Sequence, residues 1–325
     1  MPPYKGGISR LVGLLSEGLK RQGHEVDILD SKITIKFKEL KISSIPFHSY
    51  NDYDIIHLHG PTPFLSDLIL MTNHKTPIIY THHAEICWLS EKISEIYRGF
   101  HQVLAKRSRA IIVHSHDYAH LFKGTNVFVV RMPSVIKHHG NFDIKKKAAS
   151  FTVLYVGQFR PFKGIEVLVQ AASLLRDVNF VFVGSGYLKS NLERMIENLK
   201  NVRFVGAVSD EELMRLYKQA HVICLPSINT TEAYGLVLIE GALYGCVPLA
   251  SNLIGVRENV AQLNGLLFEP GSYMSLSKKI RTLTNDTKLW VDFANRSQNA
   301  ACNYVSTYTP EYYVKKHEAL FRTCL

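Results

Sequence analysis

The feature that most constrains this chain is a grammar that runs twice: short apolar runs of strand length, each closed by a loop and followed by a helical pattern. Such alternation buries parallel strands between helices and argues for α/β architecture. In the first half a helical pattern over residues 7–21 precedes strand-like runs at 23–29, 54–60, 77–83 and 110–115. The second half restarts with strands at 151–157, 180–183, 204–206, 221–225 and 247–251, and with helices over 165–175 and about 188–199. Residues 134–150 are basic and aperiodic, as a linker would be. Two successive arrays predict two Rossmann-like domains facing a cleft, with ligands at the carboxyl ends of the strands. The expected layout is a first domain over 1–137, a linker over 138–150, a second domain over 151–309, and a C-terminal helix over 310–325 crossing back to the first domain.

At 325 residues the chain is long for one domain, and two are the natural expectation. No apolar run reaches transmembrane length, and residues 1–20 lack the unbroken apolar core of a signal peptide. The five cysteines are scattered without a Cys-x-x-Cys pair, which suggests neither a disulfide framework nor zinc and fits a reducing cytoplasm. Residues 1–150 hold 20 Lys and Arg against 13 acidic residues, and a basic half suits an anionic partner. No nucleic-acid motif accompanies that charge. The run Lys145-Lys146-Lys147 is expected to be simply solvated. Thirteen of the fifteen histidines lie in the first half, but pairs such as His57/His59 and His114/His116 are two apart at strand ends, so no metal site is expected.

The densest signal is Thr231-Glu232-Ala233-Tyr234-Gly235-Leu236-Val237-Leu238-Ile239-Glu240. Glu232 reads as loop, Gly235 permits a tight turn, and a helix starts near Leu236 and stops at Gly245, with Pro248 just beyond. The first amides of that helix, at Gly235, Leu236 and Val237, form an anion site. Carboxylates on either side of such a site suit a phosphate-linked sugar, although a solvated acidic residue at each helix end reads equally well. Gly184-Ser185-Gly186 lacks the third glycine of a dinucleotide fingerprint. Asp52-Tyr53-Asp54 spells Asp-x-Asp, yet it precedes a strand rather than following one, which argues against a metal role.

Taken in order, these motifs resemble the family 4 retaining glycosyltransferases of GT-B fold, over nearly the whole chain. The resemblance is carried by residues 157–164 (Gly157 through Lys163-Gly164), Phe204-Val205-Gly206 with Glu211-Glu212-Leu213, Pro226-Ser227, the Glu-x7-Glu spacing of Glu232 and Glu240, residues 255–259, residues 264–268, and Gly6-Gly7 near the start. It implies that Glu232 binds hydroxyls of the transferred sugar and Glu240 the ribose of the donor nucleotide. Lys163, with Arg160 nearby, would neutralise the leaving diphosphate, helped by the Gly235 and Leu236 amides. Gly6, Gly7 and Gly157 would let backbone approach the donor, and Val205 would lie on its base-binding strand. His83 would stand at the active site near the sugar's primary hydroxyl, with His82 in a place usually apolar. The family usually has Arg after the phosphate-loop glycine, where Gln158 stands here. It also begins with a strand feeding the glycine loop. This chain starts inside that loop, so the first domain is expected to lack its first strand.

The implied activity is metal-independent, retaining transfer of a sugar from a nucleotide-diphosphate sugar, without a cofactor, to a glycan or lipid-linked acceptor. Fixed cations and amide dipoles where negative charge develops on the diphosphate take the metal's part. The alternatives are a non-catalytic sugar-nucleotide or glycan-binding protein and another GT-B enzyme such as a sugar-nucleotide epimerase. Lys32, Lys36, Lys38 and Lys41 alternate with apolar residues, the pattern of an edge strand or hairpin. That surface suits anionic lipid and a peripheral place on the cytoplasmic membrane face, though lysines also guard strand edges against pairing.

Overall fold

A computed structural model of the chain describes residues 7–29, 34–37, 40–43, 50–72, 75–87, 91–134 and 142–325. They divide into two compact units, Met1–Pro133 with Tyr308–Leu325, and Ser134–Thr307.

The first unit opens with helix α1 (Gly7–Arg21), whose Leu11, Leu15 and Leu19 recur every four residues and are buried. Strands β1 (Thr34–Phe37) and β2 (Leu40–Ser43) then pair antiparallel as a hairpin, with Phe37 opposite Leu40. A separate sheet holds β3 (Ile56–Gly60), β4 (Ile78–His82), β5 (Ala110–Val113) and β6 (Val127–Val129), all parallel and in sequence order. All four residues of β5 are at most 1% exposed, which is why the run is apolar throughout. Helices α2 (Leu65–Met71), α3 (Glu91–Ala105) and α4 (His116–Ala119) connect the strands. The C-terminal helix (Pro310–Cys324) packs on α1, where Gly18 leaves room for Val314; a Cβ there would lie 2.3 Å from Val314 Cγ2. Leu15, Leu19, Ile79, Ile112, Tyr313 and Leu320 share one core.

The expected strand at 23–29 does not form. Residues 24–29 form no strand, because no strand among the described residues lies beside them to supply a ladder. Side chains hold the segment instead: His24 Nε2 meets Glu318 Oε1 at 3.1 Å, and Tyr53 OH donates to Asp27 Oδ2 at 2.8 Å. Ile28 and Leu29 remain exposed.

The second unit is a six-stranded parallel sheet. Its strands are β7 (Thr152–Val156), β8 (Asn179–Val183), β9 (Val202–Gly206), β10 (Val222–Leu225), β11 (Val247–Ser251) and β12 (Leu266–Phe268), in the order β9-β8-β7-β10-β11-β12. Helices α5 (Ile165–Leu174), α6 (Lys189–Met195), α7 (Asp210–Gln219), α8 (Leu236–Leu243), α9 (Val256–Gln262), α10 (Tyr273–Asn285) and α11 (Thr287–Thr307) accompany it. The order reverses between β7 and β10, and a doubly wound sheet binds ligands at the carboxyl ends of the strands flanking that reversal. Helix α6 is shorter than the sequence predicts, ending at Met195. Lys147 also departs from expectation. It is half-buried, and its Nζ donates to Tyr217 O at 2.9 Å and to Ala220 O, closing the C-terminal end of α7.

Candidate active site

The loops after β7 and β10 are locked together by backbone that only glycine allows. Gly164 has φ +61°, and a Cβ on it would lie 2.0 Å from Pro226 O. Ile228 N donates to Phe162 O at 2.8 Å across the same seam. The loop after β8 joins them: Phe159 N donates to Ser185 O at 2.9 Å, and a Cβ on Gly184 would lie 1.9 Å from Gly157 O. Gly184 and Gly186 therefore serve loop packing, which accounts for two glycines without a dinucleotide.

On this frame a tight turn, Pro161–Lys163, aims Lys163 across the switch point. Its ammonium pairs with Glu232 Oε2, on the loop after β10, and Ser227 Oγ donates to the same oxygen at 3.3 Å. Glu232 is 8% exposed. The buried Tyr155 hydroxyl donates to Gln158 O at 3.0 Å; burial first, and then the Glu232 charge, push its pKa well up, so it stays a neutral donor. Arg160 is exposed one turn before Lys163, and among the described residues no side chain or carbonyl pairs with its guanidinium. Thus a paired and an unpaired cation share one loop.

Helix α8 starts where the sequence predicts. Gly235 is its N-cap at φ +74°, and a Cβ there would meet Leu225 Cδ2 at 2.7 Å. Among the described residues no hydrogen bond occupies the N–H groups of Gly235, Leu236 or Val237, so three donors and the positive end of the helix dipole lie beside Glu232. The helix stops in a Schellman turn: Cys246 N donates to Gly241 O at 3.1 Å and Gly245 N to Ala242 O at 2.9 Å, with Gly245 at φ +74°. Glu240 lies in the second turn of α8, half-exposed, and accepts from Tyr217 OH at 3.0 Å. The two carboxylates of the Glu-x7-Glu spacing therefore have different partners. Val205 is half-buried near the carboxyl end of β9.

In the first unit, Gly7 is the first residue of α1, and Gly6 lies outside the described residues. His83 follows β4 and is 4% exposed. Both its ring nitrogens are taken: Nε2 by His59 Nδ1 at 2.9 Å, and Nδ1 by His114 Nε2 at 3.2 Å. Desolvation first, then His114 and His59, drive its pKa well below the ordinary value. Its ring meets other rings, not open space. His82 fills its apolar slot as a neutral core side chain between Tyr118 and Phe122, with Nδ1 3.3 Å from Tyr80 OH. Asp52 and Asp54 are exposed, and the tyrosine between them bonds Asp27, outside the triplet.

Sequence reasoning missed Ser227 as a partner of Glu232 and Tyr217 as the partner of Glu240. Ser227 was visible inside the Pro226-Ser227 motif; Tyr217, on a helix 23 residues before Glu240, carried no signal.

Residues 140–300 match the model of the family described as glycosyl transferases group 1. Over its whole length the chain is 25% identical to the O-antigen chain mannosyltransferase C of Escherichia coli, 96% of which it covers. The fold resembles sucrose-phosphate synthase from Thermosynechococcus elongatus, with a TM-score of 0.73 at 20% identity, covering 98% of this chain and 93% of that one. It also resembles Anabaena HepE in complex with UDP, with a TM-score of 0.60 at 22% identity, covering 77% and 73%. Two Rossmann-like units and this family match make the architecture GT-B. With residues 140–300 matching the glycosyl transferases group 1 model and a mannosyltransferase relative aligned over the whole chain, the chain is a glycosyltransferase.

Proposed function

We propose that this glycosyltransferase moves a hexose from a nucleoside-diphosphate sugar to a glycan or lipid-linked acceptor, with retention and without a metal ion or other cofactor. One arrangement carries the reading: Lys163 and Glu232 paired beside the open amides of Gly235, Leu236 and Val237 at the switch point of the sheet. Cleaving a sugar–phosphate bond leaves negative charge on the diphosphate and positive character at the anomeric carbon. Lys163, Arg160 and the α8 amides face the first charge with fixed positive charge and dipoles, which need no reorganisation as the bond breaks. Glu232 accepts from hydroxyls of the transferred sugar, and Glu240 from the ribose. Val205 and Gly157 line the nucleotide's side of the unit. UDP in the HepE complex supports a nucleotide-linked donor, and the mannosyltransferase relative supports a glycan acceptor. Retention rests on the family 4 resemblance of the Glu-x7-Glu motif.

No described helix is long and apolar enough to cross a membrane. The basic first half supports a peripheral, cytoplasmic-face location, from which a lipid-linked acceptor is met at the membrane surface. A panel of UDP-, GDP- and ADP-sugars, screened by thermal shift, identifies the donor, because a bound ligand stabilises by mass action. Transfer with that donor, followed by proton NMR of the new anomeric centre, tests the reading. An inverted product removes the retaining mechanism, and no transfer with any donor removes the donor class.

A further inference from the structure

Three histidines stand at the carboxyl ends of three adjacent parallel strands: His59 in β3, His83 just after β4 and His114 just after β5. His83 N donates to Gly60 O at 2.8 Å, which fixes its place beside β3. The three rings are joined in a line that ends on a carbonyl, with His114 Nδ1 2.8 Å from Val130 O. A carbonyl only accepts, so His114 carries its proton on Nδ1 and leaves Nε2 as an acceptor. His83 must then donate from Nδ1, and its Nε2 accepts in turn. His59 must donate from Nδ1 to that nitrogen. One carbonyl thus sets all three tautomers, and the lone pair left over is on His59 Nε2. His59 is partly exposed, and no hydrogen bond from the described residues reaches that nitrogen.

We infer that His59, His83 and His114 form a one-directional ladder of neutral imidazoles that presents His59 Nε2 as the acceptor for a sugar hydroxyl. For what the open nitrogen meets, this rests on the sugar-transfer reading above; the ladder itself does not. His83 is then a positioning residue, holding His59 from behind, and His59 takes the hydroxyl contact that the family resemblance implies for His83. Desolvation disfavours charge on each ring, holding His59 at about 3 and His114 at about 4, which keeps the ladder a set of fixed dipoles. His57 packs against the His59 ring with centroids 4.1 Å apart, while its own Nε2 bonds Thr81 Oγ1 at 2.7 Å, so it steadies the ring without competing for the open nitrogen.

Nitrogen-15 long-range correlation spectra of the whole protein near neutral pH separate protonated from unprotonated ring nitrogens. All three rings are expected to show Nδ1 protonated and Nε2 not. A His83 ring with Nε2 protonated, or a doubly protonated ring in the set, overturns the ladder without reference to activity. His59→Asn keeps a donor near the Nδ1 position and removes the outer acceptor. It is expected to leave the His83 pattern intact while transfer falls at least about tenfold, the scale of one lost oriented contact. Transfer at the wild-type rate in that variant overturns the hydroxyl role. Hydrolysis of the donor without acceptor assigns the source. If hydrolysis falls with transfer, the hydroxyl is on the donor sugar; if transfer alone falls, it is on the acceptor. A wild-type protein that transfers no sugar while showing the expected ring pattern overturns the sugar-transfer reading and spares the ladder.

Discussion

Lys163 and Glu232 are 69 residues apart in sequence and meet because two loops at the switch point are locked by Gly164. Removing either member strands the other's charge in a largely covered site and removes a contact to the departing diphosphate or the transferred sugar. Lys163→Ala and Glu232→Ala are each expected to lower turnover at least about tenfold. Steady-state rates at saturating donor check this, and wild-type turnover in either variant takes that residue out of the site. Gly164→Ala should act differently. Its φ of +61° is costly for a residue with a Cβ, and the Pro226 carbonyl at 2.0 Å blocks the methyl. A loss of about 1–3 kcal/mol in the second unit's unfolding is expected from the strain alone, and denaturant titration reading no loss would show that the seam gives way. Glu232, Glu240 and Lys163 stood out in the sequence as candidates because they sit in one short motif or beside a glycine. The state of the His83 ring was not legible there, since its two partners lie 24 and 31 residues away on other strands.

Helix α8 was legible at both ends, because Gly235 and Gly245 adopt the positive φ that mark its start and stop. The segment 24–29 was not. Its apolar pattern suits a strand, but a strand also needs a neighbour to pair with, and pattern alone does not report one. Lys147 illustrates the same gap, since a run of three lysines looks solvated until α7 ends above one of them. Lys147→Met keeps the stem and removes the donor to Tyr217 O and Ala220 O; it is expected to cost on the order of 2 kcal/mol of second-unit stability, and an unchanged denaturation midpoint would count against the capping role. The first unit's sheet end makes a further demand. His114 and His317 are buried and held at about 4, against an ordinary value of 6.5. The unfolded chain therefore binds more protons between those values, so stability is full above about 6.5 and falls as the pH drops towards 4, by roughly 1.4 kcal/mol per pH unit for each histidine. Calorimetry of the first unit's transition between pH 7.5 and 4.5 should show that decline, and His317→Gln should make it shallower. An equal slope in the variant would mean that His317 does not contribute.

At the scale of the whole molecule, composition and alternation were enough for two α/β units, because parallel strands buried on both faces leave continuous apolar runs such as Ala110–Val113. Charge gave less, since a net formal charge of +10 names a sign and not a partner. If cations and helix amides replace a metal, chelation with EDTA should leave transfer intact, and strict dependence on Mn²⁺ or Mg²⁺ would count against that chemistry. The hairpin of β1 and β2 carries the charge question furthest. Its register sets position 36 opposite position 41, both lysine in the sequence, and a segment so rich in lysine is drawn towards anions. Anionic headgroups supply such anions at about 1 kcal/mol per basic residue near the surface, a gain that salt screens. The competing role for the same lysines is to keep a two-stranded edge from pairing with other chains, which needs no membrane. Co-sedimentation with vesicles separates the two. Binding to anionic but not neutral vesicles is expected at low salt, lost as salt rises and weakened by Lys36→Glu with Lys38→Glu. Equal partitioning onto both vesicle types, or onto neither, would leave edge protection as the hairpin's role and a freely dissolved glycan as the acceptor.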